Sequence, residues 1–341
     1  MLALRLHPDG QLRFHDEPVP EPRRGEVLIR ITEVGLCGSD RHWLTDGGIG
    51  DAVLDRPLVL GHEFAGIVET GEERGRRVAV DPAVSCGVCE PCRTGLANLC
   101  SNVRFAGHGT VDGALREFIA WPAASLVPIP DHLGAGEGAL VEPLAVAIHA
   151  VDLGRVGAGA RVGVIGCGPI GLLVVALSRA AGATTITASD PHRHRLDAAI
   201  HLGASNIIEA VGSADDLAAI LATTGGHGFD VVFDAAGDPE AVDTAIATAR
   251  PGGLVVLVGI PSADRTTFTA SVARRKGLTL VLSRRSTDDA FRRAARLAGN
   301  RAIDLAGLVS LRVPLSRGQT AFEALNARTG LKVIVEPGRP A

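Results

Sequence analysis

Short apolar runs recur at strand length through the middle of the chain, at residues 161–165, 184–188, 206–208, 230–234, 254–258 and 278–282. Ala-rich helical stretches separate them. Six such runs with helices between them predict a doubly wound parallel sheet. Runs such as Asp230-Val231-Val232-Phe233-Asp234 are almost continuously apolar, which suits strands covered on both faces. The first 145 or so residues follow a different pattern. They are rich in Pro and Gly, and Val27, Ile29 and Ile31 alternate with Leu28, Arg30 and Thr32, as in a half-buried strand. After about Ser286 the chain reads as helical with Arg-rich faces, then closes on a strand-like run at 331–335. No internal repeat and no low-complexity linker is visible, so the boundary near residue 145 is a change of pattern rather than a tether.

Length agrees with that division, since 341 residues suggest about two domains. The expected division is 1–145, 146–285 and a C-terminal return over 286–341. Lys and Arg number 34 against 38 Asp and Glu, a net charge of −4. That balance predicts neither a nucleic-acid nor an anionic-membrane partner. The longest uncharged stretch, 162–178, is broken by four glycines and Pro169. It reads as strand, turn and helix start rather than a membrane span. With no signal-peptide pattern at residues 1–7, a cytoplasmic home is the expectation. Tyr is absent. The short-chain dehydrogenases and the aldo-keto reductases both use a Tyr hydroxyl as proton donor, so both are excluded. A chain without Tyr that handles an alcohol must polarise the oxygen by other means.

Gly166, Gly168 and Gly171 form G-x-G-x-x-G directly after the 161–165 run and open an Ala/Leu/Val-rich helix. The first glycine makes a tight turn, the second lets the backbone approach a pyrophosphate, and the third lets helix pack on strand. Asp190 stands nineteen residues beyond Gly171, just after the next strand-like run. A carboxylate there accepts hydrogen bonds from ribose hydroxyls and repels a 2′-phosphate, which favours NAD over NADP. Asp190 also has a plainer reading, as the cap of a helix opened by Pro191. Arg193 and Arg195 lie close enough to keep NADP in play. Cys167 reads as a small residue between glycines, not as a nucleophile.

Four of the six cysteines, Cys86, Cys89, Cys92 and Cys100, fall within fifteen residues. Four thiolates match the closed tetrahedral shell of a structural zinc. An iron–sulfur cluster or two disulfides are the alternatives, the second disfavoured in a reducing compartment. Three further segments draw attention: Cys37-Gly38-Ser39-Asp40-Arg41-His42-Trp43, Gly61-His62-Glu63 and Val141-Glu142-Pro143-Leu144. Taken singly, each has a bland reading as a buried small residue, a core histidine or a surface acid.

Together and in this order, the three segments, the four-cysteine lobe at 86–100 and the glycine loop resemble the zinc-containing medium-chain alcohol/polyol dehydrogenases, and most of all their sorbitol dehydrogenase branch. The resemblance runs from Val27 to Pro337. It implies an α/β fold in which a β-rich, GroES-like catalytic domain is built from both chain ends around a Rossmann domain, with substrate in the cleft between them. It implies Cys37, His62 and Glu63 as catalytic-zinc ligands, and Glu142 as either a fourth ligand or the acid that holds a zinc-bound water. It implies Ser39 as a proton-relay hydroxyl and His42 as its outer base, which suits an imidazole of pKa near about 6.5. The implied reaction acidifies a zinc-held hydroxyl and passes hydride from its carbon to nicotinamide C4.

The same resemblance places Ile170, Arg195, Val258, Gly259 and Ile260 at the cofactor, and Trp43, Phe105, His108 and Arg285 at the substrate. Trp43 stands where polyol dehydrogenases carry a Tyr. Arg284 and Ser286 replace a Phe and a Tyr on either side of the matching Arg285. These departures widen the expected substrate from a linear polyol to a cyclitol, a sugar or a shorter diol. Two rival functions remain: another zinc dehydrogenase, acting on a simple alcohol, an aldose or threonine, and a non-catalytic nucleotide-binding zinc protein. A homodimer or homotetramer is the family's usual assembly.

Overall fold

The computed structural model describes residues 1–212, 214–261 and 265–338. In chain order the elements that position chemistry are β1 (Glu26–Gly35), α1 (Gly38–Asp46), β2 (Glu63–Val68), β3 (Arg77–Val80), β4 (Phe118–Pro122), β5 (Leu126–Pro128), α2 (Val141–Leu153), β6 (Arg161–Ile165), α3 (Pro169–Ala180) and β7 (Thr185–Asp190). They continue with α4 (Arg193–His201), β8 (Asn206–Glu209), β9 (Phe229–Asp234), β10 (Ala249–Leu257), β11 (Thr279–Leu282), α5 (Asp288–Gly299), β12 (Val309–Pro314), α6 (Gly318–Ala327) and β13 (Lys332–Glu336).

The chain divides into two compact units, one made of Met1–Ala145 with Thr287–Ala341, the other of Val146–Ser286. The first is built on a seven-stranded sheet in the order β5-β3-β2-β1-β13-β12, with β4 also pairing β1. Ile29 and Ile31 of β1 are fully buried. They join Phe64, Trp43, Phe322 and Val335 in one apolar core. Each such side chain contributes roughly 1.5–3 kcal/mol by leaving water. β13 runs antiparallel to β1, pairing Ile334 with Gly35 and Val335 with Val34. A strand formed late in the sequence is thereby fixed beside the one that leads into Cys37.

The second unit is a six-stranded parallel sheet in the order β8-β7-β6-β9-β10-β11. The order reverses at β6, and the glycine loop follows β6 at that switch point. Its central strands are buried on both faces, with Val162, Val164, Val232 and Phe233 fully enclosed.

The middle of the chain folds as its apolar runs predict, with boundary changes. β7 extends to Asp190 instead of stopping at residue 188, and β10 starts at Ala249 instead of 254. The tail departs further. The expected helical stretch after Ser286 contains β12, which runs parallel to β13. Val309, Leu311 and Val313 alternate there with Ser310 and Arg312, a period of two that is short and lies in a tail dominated by the Arg-rich helix α5 before it.

Candidate active site and cofactor loop

β1 ends at Gly35, and the chain turns at Cys37 into α1. The Asp40 carboxylate closes that turn, accepting from the Cys37 amide at 2.9 Å and from the Gly61 amide at 3.1 Å. One buried acid therefore ties together the two loops that carry Cys37 and His62. It also lies 3.7 Å from His62 Nδ1. An acid behind one ring nitrogen presents the other, Nε2, as the donor to a metal. Ser39 Oγ lies 3.3 Å from that Nε2.

Glu63 begins β2 and is completely buried. The glycine at 35 makes room for it, because a side chain there would run into Glu63 Oε2. Cys37, His62 and Glu63 each offer one donor atom, and these atoms lie within 4.8 Å of one another.

Lys332, from β13, has no place in the sequence reading and is fully buried against this group. Its Nζ donates to Glu63 Oε2 at 2.6 Å, to Glu63 Oε1 at 2.8 Å and to the Leu36 carbonyl at 3.0 Å. Burial opposes the Lys332 charge, but Glu63 and Cys37 outweigh it and hold its pKa above the ordinary value. Glu142, on the first turn of α2, is buried too. Burial pushes its carboxyl up to about 8, with Glu63 and Cys37 adding to the rise and His62 opposing it. Burial and Glu63 push the Cys37 thiol up to about 12. One buried ammonium and one buried carboxylate thus stand beside a thiol and a second acid, Glu142, whose ionisation burial resists. A divalent cation among a thiolate, an imidazole and a carboxylate resolves that crowding, so the donor set fits zinc.

The lobe at 86–100 forms a second donor set. Cys89 Sγ lies 3.3 Å from Cys92 Sγ and 3.8 Å from Cys100 Sγ, and Cys86 Sγ lies 4.0 Å from Cys92 Sγ. Sulfurs at the corners of a zinc tetrahedron with bonds of about 2.3 Å stand about 3.8 Å apart. Cys86 is held at about 6, first by the amides of Val88 and Cys89, so it is poised as a thiolate.

Of the residues assigned to the substrate, three are linked to His62 through ring contacts. Phe105 packs on His62 at 5.4 Å, His108 meets Phe105 edge-on at 6.3 Å, and Trp43 meets His108 edge-on at 5.3 Å. Trp43 is 2% exposed and belongs to the core of its unit. Arg285 belongs to the other unit, just past β11, with a left-handed backbone at φ 54°. His42 is buried on α1, and its Nδ1 bonds the Asp46 carboxylate at 2.6 Å. Asp40, Asp46 and Lys332 are the residues that motif reading missed. Asp40 stood inside a quoted motif, whereas Lys332 carries no local signal.

In the glycine loop the three glycines serve different ends. A side chain at Gly171 would overlap the Gly166 carbonyl, while one at Gly168 would meet nothing within 4 Å. Gly168 therefore faces open space at the N-terminus of α3, a cradle suited to a pyrophosphate. Ile170 and Gly171 form the first turn of that helix. Asp190 ends β7. Its Oδ2 accepts from the Cys167 amide and its Oδ1 from the His192 amide, both at 2.8 Å. It does not cap α4, whose N-cap is His192, so the plainer reading of Asp190 is corrected. Arg195 Nη1 lies 3.5 Å from the same carboxylate. Val258 and Gly259 follow β10, both amides donating to the Asp234 carbonyl, and Ile260 beyond them is half exposed.

Residues 23–131 match the profile of the alcohol dehydrogenase GroES-like domain, and residues 169–300 that of the zinc-binding dehydrogenase domain. Sorbitol dehydrogenase of Bacillus subtilis is 36% identical over 347 residues, covering 99% of this chain and 98% of that protein. The chain belongs to the zinc-dependent medium-chain alcohol/polyol dehydrogenases. Among solved structures, L-idonate 5-dehydrogenase of Escherichia coli superposes with a TM-score of 0.90 at 29% identity, covering 98% of this chain and 97% of the other. A zinc-binding dehydrogenase of Sinorhizobium meliloti bound to NADP gives 0.89 at 32% identity, covering 98% and 99%. This medium-chain dehydrogenase is therefore an oxidoreductase of zinc and nicotinamide chemistry, with the α/β fold of a parallel Rossmann sheet plus a GroES-like sheet domain. Among the described residues, no helix is long and apolar enough to cross a membrane.

Proposed function

We propose that this dehydrogenase oxidises a secondary hydroxyl of a polyol, cyclitol or sugar, with NAD as the acceptor. The observation that carries the reading is the convergence of Cys37, His62 and Glu63, with Ser39 at 3.3 Å from His62. Zinc bound to these three residues supplies a Lewis acid to the substrate hydroxyl, and NAD supplies the hydride acceptor. The protein's own residues do the rest. Ser39 takes the hydroxyl proton and hands it to His42, one helical turn away on the same face of α1. Phe105 and His108 form an aromatic wall beside His62 against which the carbon skeleton rests. Glu142, buried on the first turn of α2, is placed to hold a hydrogen bond in the site.

Asp190, buried at the end of β7, leaves no room for the charge of a 2′-phosphate and supports NAD. Arg195 offsets part of that charge, so some NADP use is expected. Cys86, Cys89, Cys92 and Cys100 hold a second zinc that shapes their lobe, and their need for reduced sulfur supports a cytoplasmic setting. β11 has a sheet neighbour on one side only among the described residues, and Leu282 on it is 75% exposed. An edge of that kind supports assembly through pairing with a second copy.

The test is NADH formation by zinc-replete protein, with NAD and NADP each run against linear polyols, cyclitols, sugars and simple alcohols. Turnover confined to polyhydroxy substrates, and faster with NAD than with NADP, is the expected result. Turnover on simple alcohols alone, or none with two zincs bound, overturns the reading.

A further inference from the structure

An acid stands where helix physics disfavours one. Asp46 is the last residue of α1, followed by Gly47 in the left-handed C-cap conformation, and no basic residue shares that turn. A carboxylate at a helix C-terminus meets the negative end of the helix dipole. Its surroundings explain why it is tolerated. Asp46 Oδ2 bonds His42 Nδ1 at 2.6 Å, and Asp46 Oδ1 accepts from the Thr45 hydroxyl at 2.8 Å. The His42 ring is 9% exposed and the Asp46 side chain 39% exposed, so the pair runs from the interior to the solvent edge.

We infer that Asp46 is a positioning residue for the proton relay, fixing the tautomer and orientation of His42 and stabilising the positive charge that forms on it. The inference rests on the proposed relay through Ser39 and His42. With the ring proton held at Nδ1 by Asp46, the lone pair sits on Nε2. The proton leaving the substrate hydroxyl passes from Ser39 to Nε2, and an imidazolium forms beside an ionised carboxylate. Asp46 stays ionised throughout. The imidazolium then releases to water the proton it accepted at Nε2, while the Nδ1 proton stays on its bond to Asp46, and the starting tautomer is restored. The hydrogen bonds from His42 and Thr45 hold the Asp46 carboxyl below the usual carboxylate range, in agreement with that role.

Other charges near the pair are few. On α1 itself, Arg41 interacts with Asp46, and Arg328, the residue that follows α6, bears on Arg41. The short strand Gly48–Ile49 that packs on α1 carries no titratable group. His108 reaches α1 through Trp43, and His62 through Ser39.

The test compares the kcat–pH profile of alcohol oxidation in the zinc-loaded parent, Asp46→Asn, Asp46→Glu and His42→Gln. Asn keeps an acceptor for Nδ1 and removes the charge, so fold and zinc content stay as in the parent. The expected result is an acid limb displaced by about one pH unit to lower pH in Asp46→Asn, a tenfold weaker hold on the relay proton. KM for the alcohol changes less than about twofold, because Asp46 makes no contact with substrate. Asp46→Glu restores the parent profile. An Asp46→Asn profile that overlays the parent while His42→Gln shifts or abolishes the limb overturns the inference and leaves the relay standing. A His42→Gln profile that also overlays the parent overturns both.

Discussion

Replacing Lys332 by Met removes the ammonium packed against Glu63 and leaves that carboxylate buried without it. All three N–H bonds of the ammonium are used, two on Glu63 and one on the Leu36 carbonyl. At an effective dielectric of about 20, unit charges 2.6 Å apart attract by about 6 kcal/mol. Desolvation of each ion takes back several kcal/mol, so the intact pair is worth far less than its attraction. Breaking it by removing one partner costs about 3–5 kcal/mol, because the other charge stays buried. The unit that holds the pair has about 200 residues, for which each kcal/mol shifts the melting temperature by about 2–4 °C, giving a fall of about 6–20 °C. Calorimetry of Lys332→Met, Glu63→Gln and the double variant checks this. The double variant should recover at least half of the loss, since neither charge remains. Metal-free protein should lose more than zinc-loaded protein, because a bound cation also compensates Glu63. A Lys332→Met protein melting within about 2 °C of the parent in both states refutes the reasoning.

His62→Ala should abolish turnover and lower the zinc content from two per chain to one, measured by atomic emission; a variant that keeps both zincs places the ligands elsewhere. Asp190→Ala removes the acceptor for two backbone amides and the charge facing the ribose. It should raise the KM for NAD about tenfold or more relative to that for NADP, read from initial rates with each cofactor. The Glu142 carboxyl, raised from 4.5 to about 8 in the folded protein, binds its proton more tightly there than in the unfolded chain. Metal-free protein should therefore lose stability as pH rises from about 5 to 8, and Glu142→Gln should flatten that slope in urea titrations.

Much of this was legible because the chemistry is local in sequence. Gly166, Gly168 and Gly171 lie within one turn, and Cys86 to Cys100 within one loop, so spacing alone carries their meaning. The strands of the parallel sheet were legible because burial on both faces writes them as unbroken apolar runs. Strand β12 was lost because its alternation is short and follows a helix whose exposed arginines dominate the pattern of the tail. Lys332 was out of reach for a different reason. A lysine at the start of Lys332-Val333-Ile334-Val335 reads as the exposed end of a strand, and only the pairing of β13 with β1 turns it inward beneath Glu63. Asp46 was equally silent, since an acid four residues after a histidine on a helix is an ordinary surface pair until the histidine is seen to be buried.

The Lys332–Glu63 bond joins residues 269 positions apart. During translation at about 5–20 residues per second, Glu63 therefore leaves the ribosome roughly 15–50 seconds before its partner. Through that interval the nascent chain already carries Cys37, His62 and Glu63 but lacks the strand that closes over them. An incomplete product truncated before residue 332 would keep every motif that marks the metal site and still be unable to bury it. Such fragments would present open sheet edge beside β1, where the final strand belongs, and so carry the surface by which quality-control proteases and chaperones sort finished molecules from unfinished ones.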